Sequence, residues 1–252
     1  MKLDAGTFYA FFLVFVRCSG FCLAAPMFGS MVVPVRIRVC LAAALAFALT
    51  FFVRQSLGEV PQDMIALALA IGNEAVSGLL IGAFFGMVMQ AATIAGAFCD
   101  LQLGLSMGQA LNPIAGVPVS VIGQFKTMLC LVVFLAANGH HMMLGSLVES
   151  YHSMPTLNAG MMTDLQHSAF DLFAKLSLLS LQMAMPVISV SLIVDAGMAL
   201  INKAVPQMQI FVVGMPVKSA LGMIALSVAL PAMTLGVQAG VEQVVNHLPF
   251  SR

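Results

Sequence analysis

The chain reads as long apolar runs separated by short breaks. The runs are Phe8 to Ala25, Val39 to Val53, Met64 to Leu103, Phe125 to Ala137, Leu165 to Val205 and Val217 to Val245. The breaks carry helix-stopping or turn residues. Pro26 and Pro34 flank Gly29, Gly58 and Pro61 follow the second run, and Asn138-Gly139 closes the fourth. Asn158, Gly160 and Thr163-Asp164 precede the fifth run, with Thr163 or Asp164 expected as its N-cap. This pattern predicts an all-α fold of kinked helical hairpins with no soluble domain. Pro186 is an expected kink site, because proline removes a backbone donor and crowds the preceding turn, and Pro231 lies in the middle of the sixth run.

The third run sets the architecture. From Met64 to Leu103 there is no proline, and only Glu74 and Asp100 are charged. At ~1.5 Å per residue such a helix is about 60 Å long. That is roughly twice the ~30 Å of bilayer hydrocarbon. No turn signal lies near its middle, so a simple pair of spans is strained. Gly78, Gly82 and Gly86 recur every fourth residue, and Glu74 and Gln90 continue the stripe. Such spacing lets two helix backbones touch, although membrane helices also tolerate glycine without such contact. Ala232, Gly236 and Gly240 form a second stripe.

Two stretches depart from the helical runs. Leu103 to Gln124 carries Gly104, Gly108, Pro113, Gly116, Pro118 and Gly123 and no charge. A backbone so interrupted must be buried in protein or line a watery cavity. Gly104, Met107, Gly108, Asn112, Pro113, Gly116 and Pro118 are therefore candidates for a pore plug, its ends anchored near Asp100 and Lys126. An ordinary connecting loop is the other reading. The second stretch runs from Val194 to Lys218. Pro206, Gln207 and Gln209 predict a shaped hairpin tip, with a second break at Gly214 and Pro216. Lys203 suits a helix C-terminus. Asp195, Phe211 and Lys218 complete the candidate partner-contact residues.

Composition decides the class. The chain has 252 residues, 61% of them hydrophobic and 8% charged, against about 25% charged in a soluble domain. That places it in a membrane or inside a membrane-associated assembly. Zero formal net charge and no basic cluster argue against a nucleic-acid partner. The first run has a weak positive flank, Lys2 beside Asp4, and contains Arg17, so it is expected to be a retained helix and not a cleaved leader. Cys18, Cys22, Cys40, Cys99 and Cys130 lie in apolar runs and are expected to be buried free thiols. His140-His141 lacks metal-ligand spacing, and no nucleophile or metal constellation points to an enzyme or a cofactor. A small-molecule carrier would show internal repeats and charges converging at mid-depth, and neither stands out.

Several motifs together resemble one family. They are Arg17 with Pro26-Met-Phe-Gly29 and Pro34-Val-Arg36, then Asp100-Leu-Gln-Leu-Gly104 with Asn112-Pro113, then Asn138-Gly-His-His141 with Leu147 and Ser150. Asp195 to Gly197 and Pro206-Gln-Met-Gln-Ile-Phe-Val-Val-Gly-Met-Pro-Val-Lys218 complete the set. Their order and spacing resemble the FliR family of flagellar and type III secretion export-gate subunits. The resemblance implies a FliP-like part over 1–163, with the central loop 103–124 in the lumen of a closed gate. It implies a FliQ-like hairpin over 164–252, with its tip at 203–218 near an FlhB-like protein. It further implies a helical assembly with FliP-like and FliQ-like subunits beside FlhA-like and FlhB-like proteins, in the bacterial inner membrane at the flagellar basal body. The substrates would be unfolded proteins. Membership of an injectisome is the alternative.

Overall fold

A computed structural model describes residues 5–29, 33–53, 63–105, 120–153, 159–204 and 210–247. The described residues form seven helices and no strand. In chain order they are α1 (Ala5–Ala24), α2 (Val35–Val53), α3 (Met64–Leu103), α4 (Val121–Ala136), α5 (Gly139–Ser153), α6 (Ala159–Ala204) and α7 (Ile210–His247). Five are long and apolar enough to cross a membrane, and α4 with α5 forms a bent pair that makes up to six. The chain is a polytopic helical membrane protein.

The 40 residues of α3 run without interruption, as the absence of proline and turn signals predicts. At ~1.5 Å per residue, α3 is about 60 Å long. Several boundaries differ from the expected ones. α2 begins at Val35, so Arg36 and Arg38 lie in its first turn. α6 begins at Ala159, which places Thr163 and Asp164 inside the helix instead of at its cap. α7 begins at Ile210 and runs through both Pro216 and Pro231, so Gly214 and Pro216 do not break it. Proline is tolerated in apolar helices because neighbouring groups re-satisfy the freed carbonyls. Residues 210–218 of the expected tip are therefore helical. Asn138 is a turn, with φ of 57°, and its carbonyl accepts the first amide hydrogen bonds of α5.

Contacts divide the chain into two compact units. One comprises residues 1–88, 138–173 and 241–252, and the other comprises 89–137 and 174–240. In the first, α2 packs on α1. Its buried face is Ala42, Ala46 and Thr50, spaced by four, with Val53 one turn on, and the Thr50 hydroxyl donates to the Ala46 carbonyl at 2.6 Å. α1 buries Ala10, Leu13, Val14, Arg17, Cys18, Phe21 and Cys22, the spacing of one helical face. Cys18, Cys22, Cys99 and Cys130 are buried thiols as expected, but Cys40 is exposed on the outer face of α2. Its position in an apolar run did not bury it, because the inward face of α2 is the one that carries Ala42, Ala46, Thr50 and Val53.

Candidate functional site

In the first unit a buried polar cluster lies beside a close backbone crossing. Arg17 is buried on α1. Its Nε lies 2.6 Å and its Nη2 3.0 Å from the two carboxylate oxygens of Glu74 on α3. Its Nη1 donates to Ser150 Oγ on α5 at 2.9 Å, and its guanidinium lies 4.0 Å over the Tyr151 ring. A planar fork against a carboxylate is the geometry in which a buried pair best offsets its desolvation. The same faces of α1 and α3 touch through glycine. A Cβ on Gly78 would strike the Arg17 carbonyl, and one on Gly82 would come within 2.7 Å of the Phe21 carbonyl. A Cβ on Gly20 would meet the Ala75 carbonyl at 2.8 Å, so the close approach is mutual. Gly86 is looser, 3.3 Å from the Ala24 carbonyl. The stripe thus packs helix on helix within this one chain, with Glu74 as its polar end and Gln90 exposed.

The second unit contains the ends of the uncharged segment. Gly104 has φ of 73°, the left-handed region open to glycine. Its amide donates to the Leu101 carbonyl at 3.2 Å, and the Leu105 amide donates to the Asp100 carbonyl at 3.1 Å. This is a Schellman ending of α3. The last two carbonyls of the helix are taken by side chains of α6 and α7. Ser191 donates to Gln102 at 3.2 Å, and Ser219 donates to Leu103 at 3.1 Å. Leu103 itself is fully buried against Gly222. All four carbonyls that an α-helix leaves open at its end are therefore satisfied.

The start of α4 is equally closed. Ser120 is its N-cap, and its Oγ accepts the Gly123 amide at 2.8 Å. The Ser120 hydroxyl donates to the buried Asp100 carboxylate, and the Ile122 amide lies 3.2 Å from both Asp100 oxygens. A carboxylate suits the positive end of a helix. Beneath it Gly96 and Gly123 meet backbone to backbone, with no room for a Cβ on Gly96. Lys126, one turn further on, is fully buried. Its ammonium donates to the Met183 carbonyl at 3.2 Å and to Cys99 Sγ at 3.3 Å. Asp100 on α3 thus caps the start of α4, and Lys126 ties α4 to α6.

Of the remaining predicted residues, Met107, Gly108, Asn112, Pro113, Gly116 and Pro118 lie outside the described residues, as do Pro206, Gln207 and Gln209. Phe211 falls in the first turn of α7. Asp195 and Lys218 join across α6 and α7 in an ion pair of 2.7 Å, with Asp195 half exposed. Lys203 is exposed in the last turn of α6. Gly214 and Pro216 are helical. Gly236 packs on Met183 and Leu179, and Gly240 is buried. Leu179, Met183, Pro186, Ala229, Met233 and Gly236 line an apolar groove of about 190 Å³ between α6 and α7. No group of three or more metal-ligating side chains occurs among the described residues. The Arg17–Glu74–Ser150 cluster and the Asp100–Ser120 cap were not paired by sequence reasoning. Their partners lie 20 to 133 positions apart.

Residues 8–244 match the family described as Bacterial export proteins, family 1. The chain belongs to that family. It is 30% identical to Flagellar biosynthetic protein FliR of Caulobacter vibrioides, over 90% of each chain. It is 31% identical to Flagellar biosynthetic protein FliR of Bacillus subtilis, over 88% of this chain and 86% of that one. It is also 30% identical to Yop proteins translocation protein T of Yersinia pestis, over 65% of this chain and 64% of that one. Both clusters described above therefore belong to a FliR-family fold, because the matched residues contain them entirely.

Proposed function

We propose that this chain is a non-enzymatic subunit of the flagellar type III protein export gate, forming part of the channel through which unfolded flagellar proteins leave the cell. The observation that carries this reading is the match to flagellar FliR proteins over nearly the whole of both chains. The match to the translocation protein of Yersinia covers less of each chain, which favours the flagellar system over an injectisome. Helices of 40 and 46 residues, far longer than a bilayer needs, support an assembly in which other subunits cover much of the apolar surface. The partners in this reading are FliP-like and FliQ-like subunits, with FlhB-like and FlhA-like proteins beside them, in the bacterial inner membrane at the flagellar basal body. A FliP-like part over 1–163 and a FliQ-like hairpin over 164–252 belong to the same proposal. So does a partner contact at the hairpin, from Asp195 and Lys203 through Gln207, Gln209 and Phe211 to Lys218.

The uncharged segment is the plug of this gate. It can rest in a narrow apolar constriction without the desolvation cost of an ion. The experiment has two arms. Expression of the chain in a strain lacking its FliR should restore swimming and co-purify the export-gate subunits. Deletion of Gly108 to Gly116 should preserve assembly and admit small ions or dyes. A strain that swims equally well without any such chain refutes the export reading, and an assembled deletion complex with background conductance refutes the plug.

A further inference from the structure

We infer that Asp100 is the positioning residue of the gate segment, holding both of its ends at once. The inference rests on the plug reading and adds to it the device that fixes the segment in place. Asp100 acts through two separate groups. Its main-chain carbonyl takes the Leu105 amide and so completes the end of α3. Its carboxylate takes the Ser120 hydroxyl and the Ile122 amide and so completes the start of α4. The two chain ends on either side of 106–119 are therefore bonded to one residue.

The surroundings make that residue a fixed point. Asp100 is only 4% exposed, so water competes weakly for its oxygens and the bonds to it are strong. The Gly96–Gly123 contact brings α3 and α4 to backbone distance one turn below. Ser191 and Ser219 hold the next two carbonyls of α3 from α6 and α7. Ser191 is one helical turn from Asp195, and Ser219 adjoins Lys218, the two partners of the exposed ion pair. The fixed point is thus built into the α6–α7 hairpin, at the level where that hairpin is itself latched.

The test measures the separation of the ends directly. Leu105 and Val121 are exposed and flank the fixed point. Nitroxide labels on cysteines at these two positions, in an otherwise cysteine-free full chain within the purified complex, should give one narrow distance. Asp100→Ala should abolish that narrow distance, and Asp100→Asn, which keeps one acceptor oxygen, should retain much of it. Ser120→Ala should broaden it and Ser120→Thr, which keeps the hydroxyl, should restore it. The serine pair decides the matter if Asp100→Ala does not assemble. An unchanged narrow distance in assembled Asp100→Ala, or in Ser120→Ala, overturns the inference. The plug reading fails separately. A deletion of Gly108 to Gly116 that does not leak, with the distance still lost in Asp100→Ala, removes the plug and leaves the fixed point. A leaking deletion with the distance unmoved does the reverse.

Discussion

The two units bury charge in opposite ways. In the first, the acid and the base face each other. Arg17 and Glu74 form a forked pair, and Ser150 and the Tyr151 ring complete the guanidinium's surroundings. In the second, the buried acid and the buried base turn to backbone. Asp100 takes the capping groups of α4, and Lys126 donates to a carbonyl of α6 and a thiol of α3. The difference teaches what each charge does. A pair that neutralises itself fixes the register of helices already touching through Gly20, Gly78 and Gly82. The charges that turn to backbone satisfy the start of α4 and a carbonyl of α6, groups that a membrane-embedded backbone cannot leave open.

The largest effect is expected where the neutralised pair is broken from one side. Glu74→Ala strands the Arg17 guanidinium in a buried site and should cost about 3–5 kcal/mol. The complex should then fail to assemble, or should melt far below the parent when followed by size exclusion against temperature. The double variant Arg17→Met with Glu74→Leu removes both charges, and Ser150 keeps its bond to the Leu147 carbonyl. It should recover most of the lost stability. A double variant as unstable as the single one would mean that the pair does more than neutralise itself.

The next effect separates the backbone crossing from the charges. Gly82→Leu places four carbons where Phe21, Ala24 and Ala25 already stand. Overpacking of this kind costs about 1–3 kcal/mol and more where backbone must move. Gly72 lies on the same helix with open space at its Cβ position. Gly72→Leu should give the parental yield of complex, whereas Gly82→Leu should reduce it sharply. Equal yields from the two would refute the crossing.

The smallest effect tests a third arrangement, the exposed pair. Asp195 and Lys218 are joined at 2.7 Å, but Asp195 is 49% exposed. Solvent screening limits such a pair to below about 1 kcal/mol. Asp195→Ala should leave the melting point of the complex nearly unchanged at high salt. A loss there as large as that of Glu74→Ala would place this pair in a buried contact with a partner subunit.

Most helices were legible because apolar runs and glycine–proline punctuation are local signals. The 40-residue α3 and the turn at Asn138 follow from them directly. The glycine stripe was legible as a contact, though its partner, α1, was not. The errors at Gly214–Pro216, at Thr163–Asp164 and at Cys40 share a cause. Each judged a residue by its own preference alone. A proline stays helical once its neighbours satisfy the freed carbonyls, and a cysteine is buried only if its face of the helix has a partner.

What the sequence by itself determined is the all-helical membrane class, the long helices, the uncharged segment and the family. These rest on composition, periodicity and motif order, which are properties of neighbouring residues. Only the tertiary structure decided that Arg17 meets Glu74, that Asp100 caps a helix starting at Val121, and that Ser191 and Ser219 finish α3. A polar residue in an apolar helix must find a partner. The chain carries few such residues, and which of them meet depends on how the helices cross, which no local pattern records.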